Sequence, residues 1–402
     1  MKIFYFGSVC ADEIFNKTVE QSKVKPSASA QNFESALIKG FSQIENLEVT
    51  AASAESIAMY PGGNRVILKS RTDKLTENIN TNILFAINLP LIKQIMHAKS
   101  CTKVLKKWLK ENSDSKDKCV LCYGIYPAVV KRIQALCTKN KCKCFAVITD
   151  VPSTMFTYTK SKNLLKRLFS GSYKKSAIAL QDKFDGYIYL TENMKGEVAP
   201  EKPYTVVETI ADTSIFDNIK IESKATPPAL MYAGALYKKY GVDLIIDVFE
   251  KIKTDCQLWL FGSGDYENEI IARASKNDKI KFFGRVSRQE VLLREQQASL
   301  LLNIRNSDDE YTKYSFPSKM VEYMLSATPL ITTRLEGIPC EYYNYCYALK
   351  ERDAEKIAAE IDVVLNDKNL EQTGQNAKEF VKQNKNAFCQ AKKIVEFANK
   401  NL

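Results

Sequence analysis

Short apolar runs alternate with longer amphipathic stretches along this chain, and they do so twice, with a break between the two series. In the first series Lys2–Phe6, Leu47–Ala52, Arg65–Ser70, Cys119–Tyr123, Lys143–Thr149, Gly186–Leu190 and Tyr204–Val207 read as strands. Helical spacing fills intervals between them at Ala30–Gln43, Leu89–Glu111 and Pro127–Lys139. Short strands separated by helices pair in parallel, with helices covering both faces of the sheet. A polar stretch at 212–228 closes on Thr226-Pro227-Pro228, and the pattern then restarts. Strands follow at Ala229–Ala233, Gln257–Phe261, Lys279–Phe283, Ser299–Ile304, Pro329–Thr332 and Cys346–Leu349. The expectation is an α/β chain of two doubly wound, Rossmann-like parallel-sheet domains facing a cleft. They span 1–215 and 216–384, with a C-terminal helix at about 385–402 packing back on the first. Ligands of such folds bind at the carboxyl ends of the strands.

The 402 residues, 45% of them hydrophobic, are enough for two cores. No apolar run approaches the roughly 18 residues of a membrane span. Met1-Lys2-Ile3-Phe4-Tyr5-Phe6-Gly7 reads as a strand ending at a glycine rather than as a signal peptide, which points to the cytoplasm. Eleven cysteines, an odd count, then imply reduced thiols. Cys119-x-x-Cys122 and Cys142-x-Cys144 have a metal-like spacing, but both fall in strand sequence. Residues three apart on a strand face opposite ways, so Cys119 and Cys122 are read as buried apolar side chains.

Charge is unevenly spread. The chain carries +11 overall, yet Lys93–Lys183 alone holds 20 Lys and Arg against 5 Asp and Glu. A basic block of this kind implies a polyanionic partner: an anionic membrane surface or a phosphorylated substrate. Nucleic acid is not expected, because no nucleic-acid module is present. Within the block, residues 161–169 alternate leucines and bases at helical spacing. That suits a helix lying in a bilayer interface, and equally one packing its leucines on its own domain.

The stretch Tyr314 to Met324 carries the most chemistry. Pro317-Ser318-Lys319 runs into a helix with a carboxylate one turn in, at Glu322. Proline suits a first helical turn, and free amides, the Ser318 hydroxyl and the Lys319 ammonium would face one anion there. Glu322 would share that face and accept hydrogen bonds from a sugar diol. Upstream, successive strands end on Gly234, Gly262-Ser263-Gly264, Gly284-Arg285-Val286 and Arg305. Glycines at strand ends let backbone approach a ligand closely. Lys238 and Lys239 follow the first of them.

These motifs resemble glycosyltransferase family 4, the retaining GT-B enzymes, particularly the branch that builds bacterial polysaccharides. The resemblance lies in Tyr232–Val242, Leu260–Gly264, Phe282–Val286, Ser315–Met324 and Ala327–Ile331, and more loosely in Phe6–Cys10, Thr149–Pro152 and Leu190–Met194. It implies that Glu322 holds the donor ribose, Ser318 and Lys319 the diphosphate, and Gly284–Val286 the base. Gly234 and Gly262 would let the backbone approach the donor. The family's usual arginine and lysine are replaced here by Ala235 and Tyr240, and its first glutamate by Tyr314. Lys238 or Lys239, with Lys319 and Arg305, would have to supply the missing charge.

No Asp-x-Asp occurs in the sequence, so the expected chemistry needs no metal and no cofactor. Lys319 would stabilise the departing phosphate. Asp150, at a strand end before Val151-Pro152, either orients the acceptor hydroxyl or satisfies its own turn. His97, the one histidine, is read as packed or solvated. The resemblance thus implies a cytoplasmic enzyme, peripheral on the membrane's inner face. It would move a sugar from a nucleotide-diphosphate donor to a glycan or lipid-linked acceptor. A nucleotide-sugar epimerase of the same architecture and a non-catalytic membrane-associated subunit are the alternatives.

Overall fold

The computed structural model describes residues 1–153, 164–219, 223–306, 310–351 and 353–402. Residues 161–163, which open the basic stretch 161–169, lie outside them; a helix, Leu164–Gln181, follows. The chain forms two units, Met1–Ile210 with Ala387–Leu402, and Ala211–Asn386.

Among the described residues the first unit contains ten strands: β1 Lys2–Gly7, β2 Glu48–Ser53, β3 Ile67–Leu68, β4 Arg71–Lys74, β5 Asn80–Ile83, β6 Ala86–Ile87, β7 Lys118–Tyr123, β8 Lys143–Ile148, β9 Gly186–Tyr189 and β10 Tyr204–Val206. Eight make one sheet in the order β10-β9-β8-β7-β1-β2-β5-β4. All its pairings are parallel except β4 with β5. The strand segments Ile3–Phe6, Val120–Cys122 and Phe145–Val147 are apolar on both faces and fully buried, as a sheet covered on both sides requires. Cys119, Cys122, Cys142 and Cys144 are free and buried. Cys119 packs with Ile3, Leu121 and Phe145. Among the described residues no group of His, Cys, Asp or Glu could hold a metal ion.

The C-terminal helix Ala387–Lys400 packs on the helix Ala28–Ser42. The approach is close at Gly40, where a Cβ would meet the Ala387 carbonyl oxygen at 2.1 Å.

One expectation for this unit needs correction, and two further strands carry no strand signal in the sequence. The run Arg65–Ser70 yields only β3, which pairs antiparallel with β6 in a separate ribbon, Ile67 opposite Ile87. Strands β4 and β5 had no apolar signature: Arg71-Thr72-Asp73-Lys74 and Asn80-Thr81-Asn82 are polar. Polar pairs tie them in instead, Ser53 Oγ with Thr81 Oγ1 at 2.8 Å from β2 to β5, and Arg71 Nη1 of β4 donating to Glu55 at 3.0 Å.

The second unit has β11 Ala229–Ala235, β12 Gln257–Ser263, β13 Ile280–Gly284, β14 Leu300–Asn303, β15 Leu330–Thr333 and β16 Tyr347–Leu349. All are parallel, in the order β13-β12-β11-β14-β15-β16. Counted from β11, this is the 3-2-1-4-5-6 doubly wound arrangement of a dinucleotide-binding sheet. The polar stretch near 212–228 belongs to this unit, because Phe216 is buried in its core beside Ala229 and Met231. The chain enters and leaves the unit side by side: Ala211 N–H donates to Lys385 O at 2.8 Å.

Candidate functional site

Connections leave β11 toward one edge of the second sheet and β14 toward the other, so a crevice opens between their carboxyl ends. The two strand-end loops touch. Gly241 has φ of 80°, and a Cβ there would lie 2.2 Å from the carbonyl oxygen of Ile304. Gly262, at φ 128°, abuts the end of β11: its Cβ would sit 1.8 Å from the Gly234 oxygen. Only glycine fits both the space and the torsion angle.

A cavity of about 480 Å³ lies at this switch point, lined by Lys238, Lys239 and Arg305 and also by Asp243 and Glu351. Arg305 is held by its backbone N–H to Thr333 Oγ1 at 3.0 Å and by Nε to Asn303 Oδ1 at 3.2 Å. Its guanidinium lies 5.4 Å from the Tyr240 ring centre, and Lys239 Nζ lies 4.8 Å from the same ring. Lys238 sits 5.5 Å from the ring of Tyr266. Of the cations anticipated as substitutes for the family's arginine and lysine, Lys238, Lys239 and Arg305 thus line one cavity, and Lys319 is not among its lining residues. A larger hollow of about 1070 Å³ lies along the helix Ala354–Leu365. Glu351, Glu360, Asp362 and Asp367 outnumber Lys350 and Lys368 along it, a poorer setting for an anion.

The helix Lys319–Leu325 is anchored beside β11 by Tyr323. Its Oη accepts the Ala233 N–H at 2.8 Å and donates to the Ala233 oxygen at 3.2 Å, one residue before Gly234. On this helix Lys319 Nζ bonds Glu322 and lies 3.4 Å from Glu295, while Arg288 reaches the other oxygen of Glu322 at 3.7 Å. Glu295, on the helix Arg288–Gln297, is wholly buried, and its Oε2 has no hydrogen-bond partner.

Burial raises the Glu295 carboxyl far above the usual range, with the charge of Glu322 adding to the effect. Burial also opposes ionisation of Glu322, but the Lys319 ammonium outweighs it and holds that carboxyl below its ordinary value. Burial would lower the Lys319 ammonium; Glu295 and Glu322 instead hold it high. Burial thus favours the protonated form of Glu295, which tips this cluster of two cations and two carboxyl groups toward an anion.

Two sequence expectations shift here. Pro317 does not open the helix; it precedes Ser318, the cap residue, whose side chain makes no capping bond. The Met320 N–H is already taken by the Pro317 oxygen at 2.8 Å, and the helix is 7 residues long. Side chains, more than helix amides, supply the charge.

The remaining expected residues fall as follows. Ser318 and Arg285 are exposed, and Arg285 follows Gly284, whose φ is 63°. Val286 is partly buried against the core. Tyr314 is half-buried, its N–H donating to Tyr311 O at 3.2 Å. Asp150 belongs to the first unit, exposed at the end of β8, and accepts a 3.3 Å bond from Thr149 Oγ1. His97 is buried with Nε2 unpartnered, and burial drops its imidazole to about 3, so it is packed rather than poised for proton transfer. Glu295, Arg288 and Tyr323 escaped the sequence reading. In Arg288–Gln297 acids and bases alternate as on a solvated helix, and only the fold reveals that Glu295 points inward.

Two doubly wound sheets of this kind, the second with a basic switch-point crevice, define the GT-B architecture. Residues 215–380 match the family model described as glycosyl transferases group 1. Among solved structures the chain is similar to Anabaena HepE in complex with UDP, at 12% identity over the whole of both chains with a TM-score of 0.60. Sucrose-phosphate synthase from Thermosynechococcus elongatus is similar at 13% identity, 100% and 99% coverage and a TM-score of 0.60. The lipopolysaccharide outer core galactosyltransferase WaaB matches at 13% identity over both whole chains, with a TM-score of 0.62. These likenesses establish the GT-B fold. No curated protein matches the sequence.

Proposed function

We propose that the chain is a retaining glycosyltransferase. It moves a hexosyl unit from a nucleoside-diphosphate donor to a glycan or lipid-linked acceptor in polysaccharide biosynthesis, without a metal. The observation that carries this reading is Lys319 between Glu322 and the buried Glu295, on a helix tied to the end of β11 by Tyr323. The group 1 match over 215–380 covers the same residues.

Cleaving the sugar–diphosphate bond leaves negative charge on the departing oxygen and positive character at the anomeric carbon. Lys319 and Arg288, with Lys238, Lys239 and Arg305, stabilise the first, each such contact contributing on the order of 2–4 kcal/mol. Glu322 accepts from the donor ribose. Attack on the face the diphosphate leaves lets a phosphate oxygen take the acceptor's proton, so retention needs no protein base. The new glycosidic bond forms as the old C–O bond breaks, and the nucleoside diphosphate departs carrying that proton. Asp150 orients the acceptor hydroxyl in this reading.

A thermal-shift panel of UDP, GDP, ADP and CMP identifies the donor base, because a ligand that binds only the folded state raises its melting point. The matching sugar nucleotide is then consumed with added acceptor in the presence of a chelator. No shift with any nucleotide, or turnover abolished by chelation, overturns the reading.

A further inference from the structure

The turn that follows β11 is aromatic as well as basic. Tyr237 and Tyr240 flank Lys238 and Lys239, and Tyr311 meets them from the short turn Glu310–Lys313. The Tyr240 ring stands edge-on to both other rings, 6.1 Å from Tyr237 at 77° and 6.3 Å from Tyr311 at 79°. Edge-to-face contact of this kind is a preferred arrangement of aromatic pairs and fixes the orientation of the ring between them. The Tyr311 hydroxyl also donates to the Lys239 carbonyl oxygen, which ties the two turns together. Gly241 presses the first turn against the end of β14, since a Cβ there would lie 3.2 Å from the Cα of Arg305. Backbone packing therefore sets Tyr240 beside Arg305.

Among the described residues, Tyr237, Tyr240 and Tyr311 pack in neither core of this unit. Tyr237 is exposed, and the other two are half-buried. Cations lie against them instead. Lys239 Nζ is 4.8 Å from the Tyr240 ring centre and 5.7 Å from that of Tyr237, and the Arg305 guanidinium is 5.4 Å from Tyr240. One ring thus serves two cations that would otherwise repel each other and spread over many rotamers. An aromatic face attracts a cation through its quadrupole and carries no charge of its own. A carboxylate in the same place would orient the cations as well, but would cancel the charge they offer an anion. Among the described residues Arg305 pairs with no carboxylate; Asn303, Thr333 and Tyr240 hold it. Of the two acids that line the same cavity, Glu351 pairs with Lys356 at 3.3 Å, and Asp243 accepts the Leu244 N–H at 3.0 Å.

We propose that Tyr240 is a positioning residue for the donor's diphosphate: its ring holds the Arg305 guanidinium and the Lys239 ammonium at the cavity and leaves both charges for the phosphates. Tyr237 and Tyr311 brace the ring. Tyr240 itself touches no phosphate and acts only through the two cations. Its ring makes these contacts and its hydroxyl does not, so phenylalanine should serve in its place. The inference rests on the donor seat proposed above.

The test is calorimetric titration of the nucleoside diphosphate selected by the thermal-shift panel. Tyr240→Phe should bind within about twofold of wild type. Tyr240→Leu and Tyr240→Gln, which both remove the ring, should each bind at least about fivefold more weakly. Melting temperatures without ligand should stay within about 3 °C of wild type in all three, as expected for a half-buried side chain outside the core. In a Lys239→Ala/Arg305→Ala background, adding Tyr240→Leu should weaken binding by no more than about twofold, because the groups it acts through are gone. A merely structural tyrosine would cost the same in both backgrounds. Wild-type protein that takes no nucleoside diphosphate would overturn the donor seat and this inference together. With wild-type binding intact, three outcomes would each overturn the inference and leave the seat standing. They are full affinity in Tyr240→Leu and Tyr240→Gln, an equal loss in Tyr240→Phe and Tyr240→Leu, and a Tyr240→Leu loss undiminished in the Lys239→Ala/Arg305→Ala background.

Discussion

Glu295 sits 3.4 Å from Lys319 with one carboxyl oxygen buried and unpartnered, on a helix whose neighbouring residues look solvent-facing. That relationship decides the electrostatics of the site. An ionised Glu295 would cancel the charge that Lys319 offers a diphosphate. Burial disfavours that ionisation, which leaves Lys319 to serve both Glu322 and an incoming anion. Glu295→Gln should therefore preserve nucleoside-diphosphate affinity within about threefold, while Glu295→Leu, which removes the polar contact to Lys319, should weaken it at least about tenfold. Raising the pH through the Glu295 titration should weaken binding in the wild type and leave Glu295→Gln unaffected. Isothermal titration across alkaline pH measures both.

Lys319→Ala and Glu322→Ala should each reduce turnover by at least about a hundredfold with folding intact, the magnitude expected when a preorganised charge at a developing anion is lost. Initial rates alongside circular dichroism test this. Near-normal rates in both variants would remove the seat.

Gly262→Ala should destabilise the second unit, because the added methyl would meet the Gly234 oxygen at 1.8 Å in a conformation that excludes a Cβ. The cost should be at least about 2 kcal/mol, read as a melting-temperature drop of roughly 4–8 °C.

Tyr323→Phe leaves the Ala233 N–H buried without its 2.8 Å acceptor. About 1–3 kcal/mol of stability should go, and the helix carrying Lys319 should lose its tie to β11. Chemical denaturation measures the first, and weaker nucleotide binding reports the second.

Glu34 supplies a pH dependence in the first unit. Burial pushes its carboxyl up to about 7, although hydrogen bonds from Ser8 and Tyr5 favour ionisation. The folded chain then holds this proton more tightly than the unfolded chain, whose carboxyl titrates near 4.5. Its contribution is complete below that value and is lost as pH rises through about 7. Roughly 3 kcal/mol is involved, at about 1.4 kcal/mol per unit. Urea melts between pH 4 and 8 should show this decline, flattened in Glu34→Gln.

The sequence made the parallel sheets legible because their strands are buried on both faces: Ile3–Phe6, Val120–Tyr123 and Leu258–Phe261 are apolar without interruption. It hid β4 and β5, which are polar and are tied in by the Ser53–Thr81 hydroxyl pair and the Arg71–Glu55 ion pair. At the site, Lys238, Lys239 and Arg305 could be anticipated from their places after strand ends. Glu295 could not, since its inward direction follows from how its helix lies against that of Lys319. The helix start was misplaced because Pro317 is as compatible with the loop before a helix as with its first turn.

The central claim is that Lys319 holds the donor's diphosphate at the switch point of the second sheet. Calorimetric titration of the nucleoside diphosphate selected by thermal shift, into wild-type protein and Lys319→Ala, tests it most directly. The account predicts saturable binding by the wild type and at least about tenfold weaker binding by the variant, with no metal added. Equal affinity in the two proteins would contradict it.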